Sequence, residues 1–455
     1  MRIVDVVTNV FRVPELRSRL FFTLGMLAVY RLGSQIPMPG VNLLHWVDYV
    51  RQNQDTSWGL ANLFSGSNLS GMTIFALGIT PYITASIFLQ LMTAIIPSLA
   101  RLQQEGELGR KKISQWTRYL TVLLALVQSF GSAILIQRMP GNLAANTGPG
   151  FYATTMISLT AGSTFLMWLG EQITARGIGN GASLLIFTNI VIGLPKALGN
   201  LYLNTFVTRQ WSVLQLIVVV VVMAFVVAFV VLVERGERRI PIQYAKRILG
   251  RRVVGSQATH IPIKVNTAGV VPVIFASAIL AIPQSLSQLP GFKVVRSLSL
   301  VKHGEPLFYL LFAVAVILCS FLYVSITFNP NETADNLRRY GGFIPGTRPA
   351  QETARLFDNI LTRLTFIGAA YLVILCLIPD IMLVGIKLQH LGLIGNWIDL
   401  HFPRFLLDGM NVNFAFGGTS LLIVVGVAMD FINQIEAQLI MRHYETFTPR
   451  RRRRA

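Results

Sequence analysis

Charged residues are scarce in this 455-residue sequence, and acidic residues are the scarcer kind. Asp, Glu, Lys and Arg make up 13% of the chain, whereas 53% of its residues are hydrophobic. An ordinary soluble domain carries about 25% charged residues, so the composition excludes that class. Lys and Arg number 39 against 20 Asp and Glu. This excess either sets membrane topology alone or attracts anionic partners such as lipid head groups, nucleic acid or acidic proteins.

Cysteine and catalytic patterns are equally scarce. Cys319 and Cys376 lie inside apolar runs, where we interpret them as small buried side chains outside any disulfide framework. The six histidines are scattered without metal-ligand spacing, so we expect no metal and no cofactor. Gly177-Ile-Gly-Asn-Gly181 has the glycine spacing of a nucleotide-binding loop, but no strand precedes it. We expect no catalytic residue and no enzyme activity.

Long apolar runs are what the sequence has in abundance. Most of them have the 17–25 residues with which a helix crosses about 30 Å of hydrocarbon. The ten runs are Leu20–Met38, Met72–Ile96, Tyr119–Ile136, Phe151–Leu169, Ala182–Leu198, Ser212–Val233, Ala268–Leu286, Leu307–Phe328, Leu364–Pro379 and Phe414–Phe431. The first run lacks a clear cleavage site, so we expect a retained helix. We expect the ninth helix to extend past Asp380. The prediction is an all-α polytopic membrane protein with ten transmembrane helices.

The basic residues predict how these spans are oriented. Alternate connections, together with the two ends, hold 29 of the 39 Lys and Arg, and the positive-inside rule places both termini in the cytoplasm. Five spans per half would insert the second half upside down, with a pathway between the halves. We assign residues 1–200 to an N-terminal half, 201–440 to a C-terminal half and 441–455 to a basic cytoplasmic tail.

Several spans contain residues that interrupt helices. They are the Gly- and Ser-rich residues 61–71, Pro81, Pro272, Pro283, Gly417 and Gly418. Non-helical backbone at membrane depth persists only where protein or a water-filled cavity covers it. The second, seventh and tenth spans are therefore predicted to line a cavity or pore. An ordinary packing kink is the alternative at any single site.

Two connections on the cytoplasmic side are long enough to be functional. Residues 234–267 alternate apolar residues with turn signals and predict a hairpin-like protrusion. Residues 329–363 predict a loop that enters a helix. Ionisable residues inside the spans are few: Arg31 and Asp430, with Glu171 near a cytoplasmic end. Proton- or ion-coupled transporters need such groups, so a passive conduit is favoured over a secondary transporter.

Several segments together resemble one known family. They are Trp168–Thr174, Arg235–Ile240, Tyr244–Arg247, Gly250–Val253, His260–Asn266 and Phe328–Leu337. These segments closely resemble the SecY family, the large subunits of bacterial protein-conducting Sec channels, and the match extends from Leu20 to about residue 445. The resemblance implies a passive channel in the bacterial inner membrane that passes unfolded preproteins. It also implies energy from the ATPase SecA or the translating ribosome, SecE and SecG-like small subunits, and contacts with signal sequences, nascent chains and membrane lipids.

The resemblance further implies a two-half clamshell with a constriction ring, a plug and a lateral gate. The ring residues carried over by position are Ile79, Ile83, Ile186, Ile274 and Ile423, with Ala182 where the family often has a bulky aliphatic residue. Branched apolar side chains at a constriction exclude ions by dewetting. The plug is at about 58–70 and includes Asn62, Leu63, Phe64, Ser65 and Gly66.

The same resemblance places a gate and a docking surface. The lateral gate is a polar cluster of Thr84, Gln128 and Asn266, in which we expect Thr84 and Asn266 to bond across the helices. The residues that dock SecA or the ribosome are Arg238, Arg239, Arg251, Arg252 and Arg348. We expect the run Arg450–Arg454 either to bind anionic lipid or set the topology, or to contact ribosomal RNA or SecA. Residues 381–412 are apolar and predict an interfacial helix outside the family pattern.

Overall fold

The computed structural model places most of the chain in helices. It describes residues 13–43, 45–46, 71–138, 148–207, 212–244, 247–249, 252–254, 259–287, 306–348, 350–384 and 418–447. The helices are α1 Pro14–Gly33, α2 Thr80–Ile95, α3 Pro97–Gln104, α4 Glu107–Arg138, α5 Pro149–Arg176, α6 Gly181–Tyr202, α7 Val213–Glu234, α8 Val271–Ser287, α9 Pro306–Thr327, α10 Pro330–Arg339, α11 Gln351–Val384 and α12 Gly418–Phe447. A π-helical turn, Leu203–Val207, follows α6.

Each of the ten apolar runs overlaps one of these helices, which confirms the all-α class. By length and composition, five helices of the described residues can cross a membrane, or up to seven if each of two bent helix pairs is one span. The count of ten crossing helices therefore stays a prediction. Helix α11 ends at Val384, so the expected extension past Asp380 is confirmed. The boundary placed at residue 200 falls within the last turn of α6.

Helix α7 shows how the membrane decides local structure in this chain. It contains five consecutive valines, Val218–Val222, and β-branched residues favour strands over helices in water. In hydrocarbon, each backbone N–H and C=O has to be bonded within its own segment or to a closed sheet. A helix is therefore the structure that this sequence adopts, and side chains such as Phe225 and Leu232 are exposed on its surface.

The expected interruptions are confirmed at two spans and wrong at one position. Helix α2 begins at Thr80 and α8 at Val271, each after described non-helical residues. Gly417 lies outside the described residues, so the interruption expected at the start of the tenth span stays a prediction. Pro81 and Pro272 both occupy the second helical position, where a missing backbone N–H costs nothing. However, α8 continues through Pro283 to Ser287. The break expected at Pro283 is wrong, because the helix tolerates that ring without ending.

The two long connections, 234–267 and 329–363, together form a three-stranded sheet, and a separate two-stranded hairpin lies within the first of them. Strand β1 (Glu237–Tyr244) pairs antiparallel with β4 (Thr259–Lys264), and a short hairpin joins β2 (Arg247–Leu249) to β3 (Arg252–Val254). The predicted protrusion is thus confirmed. The end of β1 also pairs with β5 (Gly342–Phe343) of the second connection. The two connections therefore act as a single body.

Helix α10 explains the Phe328–Leu337 motif in physical terms. The Asn329 side chain accepts hydrogen bonds from the backbone N–H groups of Asn331 and Glu332, at 3.2 and 3.5 Å. Pro330 occupies the first turn, where its fixed φ suits a helix start. This cap fixes α10 beside the sheet, and Leu337 packs with Ile240 and Ile242 in a cytoplasmic apolar cluster.

Helices of residues 1–200 contact one another, as do helices of residues 201–440, and a few helix pairs join the two sets. In the N-terminal half α5 contacts α1, α2, α4 and α6, and in the C-terminal half α9 contacts α8 and α11 while α12 contacts α7 and α11. Between the halves, α2 contacts α8 and α9, and α6 contacts α12. The largest apolar cluster draws on nearly all of these helices. The centre of the molecule therefore lies where α2, α6, α8 and α12 converge.

Candidate functional site

The structure brings the six expected ring residues into one apolar cluster. Three of them are buried and three are half-buried, and they come from both halves of the chain. They are Ile79 just before α2, Ile83 in its first turn, Ala182 and Ile186 in α6, Ile274 in the first turn of α8, and Ile423 in α12. These four helices are among those that make the contacts between the halves.

Small residues allow α5 and α6 to approach closely beside Ile79. A Cβ on Gly170 of α5 would lie 3.6 Å from Ile79 Cδ1 and 3.6 Å from the Ala182 backbone nitrogen. A Cβ on Gly181 would stand 2.0 Å from the Gly170 carbonyl oxygen. Ile79 and the backbone of Ala182 therefore lie at the same helix junction.

Backbone pairing fixes the irregular segment that leads into α2. The Met38 N–H donates to the Met72 carbonyl at 2.9 Å, and the Ile74 N–H donates to the Ile36 carbonyl at 3.1 Å. A Cβ on Gly162 of α5 would stand 2.2 Å from the Ile74 carbonyl oxygen. Protein therefore covers this non-helical backbone, as segments at membrane depth require. The segment that leads to Ile79 is therefore held by the backbone of residues 36–38 and by α5.

The predicted gate residues have partners other than those expected. Thr84 Oγ1 donates within its own helix to the Thr80 carbonyl at 3.0 Å. Asn266 Nδ2 donates to Glu234 Oε1 at 2.8 Å and to the Gly269 carbonyl at 3.2 Å. The expected bond between Thr84 and Asn266 is therefore wrong in this structure, because each side chain finds a nearer partner. Gln128 is half-buried on α4.

Glu234 is the residue at this site that sequence reasoning missed. It is the last residue of α7 and is 8% exposed. A carboxylate at a helix C-terminus opposes the helix dipole, so an acidic residue ending an apolar run already signals a partner elsewhere. That partner is Asn266, which is 2% exposed in the turn before α8. The pair forms a buried polar contact between α7 and α8.

The ionisable residues noted within the spans are each engaged by another side chain. Arg31 Nη1 donates to Ser34 Oγ at 3.2 Å. Arg118 Nε lies 2.9 Å from Glu171 Oε1. Lys264 Nζ lies 3.8 Å from Asp430 Oδ1, joining the end of β4 to α12. These contacts assign the three residues to helix packing and to the base of the sheet.

Three of the predicted docking arginines are described with their side chains, and they lie on the body formed by the two long connections. Arg238 and Arg239 are exposed on β1, and Arg348 is exposed in the second connection. Thr353 Oγ1 donates to the Arg348 carbonyl at 3.0 Å, so the backbone there is anchored. Arg338 and Arg339, at the end of α10, are exposed as well. The sequence reasoning omitted these two, although the paired arginines were visible.

Other expectations fall outside what the structure describes. The plug at 58–70, with Asn62, Leu63, Phe64, Ser65 and Gly66, lies outside the described residues, as do Arg251, the Arg450–Arg454 run and most of 381–412. Arg252 lies in β3, where only its backbone is described. In the described parts of the chain, His, Cys, Asp and Glu form no group of three or more suited to a metal ion.

Comparisons with known proteins agree on one family. A family model described as SecY matches residues 73–432. The protein translocase subunit SecY of Escherichia coli (strain K12) is 46% identical over 441 residues, covering 95% of this chain and 94% of that protein.

Two solved structures share the fold at lower sequence identity. One, described as a protein conducting channel, has a TM-score of 0.61 at 17% identity and covers 95% of this chain and 94% of its own. The other, Sec61 in the canine ribosome-channel complex from the endoplasmic reticulum, has a TM-score of 0.57 at 15% identity, with the same coverage.

Proposed function

This chain belongs to the SecY family, and from that membership and the central apolar cluster we propose how it conducts polypeptides. It is a multi-pass membrane protein and a protein-conducting channel. Unfolded preproteins pass between its two halves, and apolar segments leave sideways into the lipid. The observation that carries the proposal is that Ile79, Ile186 and Ile423, with the three other expected ring residues, all belong to the apolar cluster that spans both halves.

The ring residues form the seal of the channel. Isoleucine and alanine offer no hydrogen bonds or charges, so water and ions are disfavoured in a narrow passage between them. The same side chains hold a passing polypeptide weakly, since their contacts with it are non-directional. A ring of this composition resists ions at rest and lets an extended chain slide through. The plug at 58–70 adds a second seal on this proposal.

The lateral gate lies where α2 faces α8 and α9. Their contacts join the halves along one side, and the interface is largely apolar, with Ile83 and Ile274 against the same cluster. A signal sequence or transmembrane segment offers an apolar surface that replaces those contacts as the helices part. Opening at this side therefore costs less than separating helices within a half. Thr84 and Gln128 stay proposed gate residues on α2 and α4.

The energy for transport comes from a partner bound to the two long connections, residues 234–267 and 329–363, which together form the cytoplasmic body. Its exposed arginines, Arg238, Arg239 and Arg348, suit phosphate and carboxylate groups, to which guanidinium forks bind with two hydrogen bonds. One structure with this fold is a Sec61 complex with a ribosome. We assign this surface, with Arg251 and Arg252, to the translating ribosome and SecA. SecE and SecG-like subunits complete the complex.

The topology follows from the basic residues. The sheet and its arginines lie in the cytoplasm of a bacterial cell, with both termini on the same side of the inner membrane. Residues 1–200 and 201–440 are the two moving halves, with the tail 441–455 behind them. Anionic lipid head groups contact the basic connections.

Reconstitution tests the proposal directly. The purified chain with its small subunits is placed in lipid vesicles, and SecA, ATP and a radiolabelled preprotein are added outside. We expect ATP-dependent protection of the preprotein from protease, which detergent abolishes. Matched vesicles contain the small subunits without this chain. Equal protection in both preparations, or none in either while an established SecY complex is active, would refute the proposed function.

A further inference from the structure

The strongest unassigned feature is the buried contact between Glu234 and Asn266. Asn266 uses both of its amide hydrogens, one to Glu234 Oε1 at 2.8 Å and one to the Gly269 carbonyl at 3.2 Å. A single side chain thereby ties the end of α7 to the turn that starts α8. Asn266 Oδ1 is buried and accepts no hydrogen bond among the described residues. The contact is thus directional yet incompletely satisfied.

The turn between Val265 and Val270 fits against two other helices, α11 and α12, with little clearance. A Cβ on Gly368 of α11 would lie 3.3 Å from the Val265 carbonyl oxygen and 3.5 Å from Asn266 Oδ1. A Cβ on Gly426 of α12 would lie 2.1 Å from Val270 Cγ2. Closely packed groups shift between discrete arrangements, because they do not deform continuously. A small displacement of this turn therefore moves α8 as a unit.

Both ends of the contact are continuous with the cytoplasmic sheet. Strand β1 begins three residues after Glu234, and β4 ends two residues before Asn266. The Val265 N–H donates to the Gly236 carbonyl at 2.9 Å, which holds the two chain segments together at the base of the sheet. Force applied to Arg238 and Arg239 on β1 thus reaches Glu234 through only a few residues.

A second, weaker contact connects the same sheet to a ring helix. Lys264, the last residue of β4, pairs with Asp430 of α12 at 3.8 Å. Asp430 follows Ile423 by two helical turns, so the two residues lie on the same face of α12. Both side chains are about half exposed, and such pairs contribute little stability on their own. Glu234 and Asn266 are therefore the dominant link.

We propose that Glu234 is a positioning residue whose bond with Asn266 holds α8 against α2 until a partner docks on the sheet. Docking displaces the base of the sheet, the bond opens, and α8 with Ile274 moves away from α2. This inference rests on the proposed function, since α8 is a gate helix only in a channel. On this proposal Asn266 acts on the gate through its bond with the Glu234 carboxylate.

The test measures the resting gate without any transport substrate. Cysteines at Ile83 and Ile274 report on gate closure through the rate of disulfide formation in nanodiscs, with Cys319 and Cys376 replaced by alanine. Glu234→Leu and Asn266→Leu should each lower that rate about fivefold. Losing about one hydrogen bond shifts the equilibrium between a closed and an open gate by about this factor. Glu234→Gln keeps an acceptor for Asn266 and should stay close to the parental rate.

A double-mutant cycle separates this role from general destabilisation. If the two residues act through one bond, the Glu234→Leu/Asn266→Leu double variant should match either single variant. Additive effects, or single variants at the parental rate, would overturn the proposal. A crosslink within the first half, between cysteines at Ser129 and Thr160, should form equally in all variants. If the leucine variants fail to fold, alanine variants complete the same cycle.

Different results would refute the role of the bond between Glu234 and Asn266 and the proposed channel function. The crosslinking rate needs no preprotein, so it is interpretable whether or not the chain translocates. Parental crosslinking rates in every variant, together with normal preprotein transport, would refute only the proposed role of the bond between Glu234 and Asn266. Absence of transport by the parental chain would instead remove the proposed function.

Discussion

The amide of Asn266 donates a hydrogen bond to the carboxylate of Glu234 at 2.8 Å and joins α7 to the turn that precedes α8. One end of this contact leads into the sheet that carries Arg238 and Arg239, and the other leads into the helix that carries Ile274. The proposed docking surface, gate and ring are therefore connected by short covalent paths.

Widening the ring should open the resting channel to ions. Replacing Ile83 and Ile274 with glycine removes two branched side chains from opposite halves and lets water wet the constriction. We expect resting conductance in planar bilayers to rise on the order of tenfold. Ile157→Gly makes the same change on an exposed face of α5, where Ile157 is 69% exposed, and should leave conductance unchanged. Parental conductance in the ring variant would contradict the assignment of these residues.

Joining the halves should stop transport. A disulfide between cysteines at Ile83 and Ile274 ties α2 to α8, so the halves are unable to part. We expect preprotein export and membrane-segment insertion to cease and then to recover on reduction. The control disulfide between Ser129 and Thr160, whose hydroxyls lie 3.3 Å apart within one half, should leave both activities intact. Normal export through the joined channel would exclude an opening between α2 and α8.

Reversing charge on the cytoplasmic body should weaken partner binding without unfolding the channel. Arg239→Glu with Arg348→Glu places carboxylates where phosphate or carboxylate groups are expected to dock. We expect about a tenfold loss of affinity for SecA or ribosomes, measured by vesicle flotation. Lys111→Glu with Lys112→Glu, an equal charge change at two exposed sites on α4, should have a much smaller effect. Equal affinities for the two variants would refute docking at this body.

Crowding the turn before α8 should disturb the gate. Gly426→Ala places a Cβ 2.1 Å from Val270 Cγ2, and overpacking of this kind costs about 1–3 kcal/mol. We expect a lower melting temperature in nanodiscs together with increased ion leak. Gly193→Ala lies on α6 with nothing within 4 Å of the added Cβ and should be neutral or stabilising. A Gly426→Ala channel with unchanged stability and leak would show that α12 and the turn are loosely packed.

The sequence alone predicted the helices well because their cause is local. Apolar runs such as Ser212–Val233 form helices wherever hydrocarbon surrounds them, and Pro81 and Gly418 mark where helices begin. The hairpin at 234–267 followed from its alternating pattern. The joining of β1 to β5 did not, because that pairing is between segments about 100 residues apart.

The site was predicted less completely for a similar reason. Ring positions such as Ile186 and Ile423 came from the resemblance to the SecY family, because an isoleucine within an apolar span carries no functional signal of its own. Hydrogen-bond partners depend on how separate helices pack. For this reason Thr84 was expected to be the partner of Asn266, whereas the structure shows that Asn266 bonds to Glu234. An acidic residue at the end of an apolar run was the one local signal of that partner.

The most direct measurement asks whether a passing polypeptide touches the ring. A preprotein with one cysteine is arrested in transit, and single cysteines are placed in turn at Ile79, Ile186, Ile274 and Ile423 in the channel. If the polypeptide passes between the halves, we expect disulfide adducts at all four positions. We expect none with a cysteine at Phe225, which is 69% exposed on the outer surface of α7. Adducts at Phe225 equal to those at the ring, or none at the ring while export is arrested, would contradict passage between the halves.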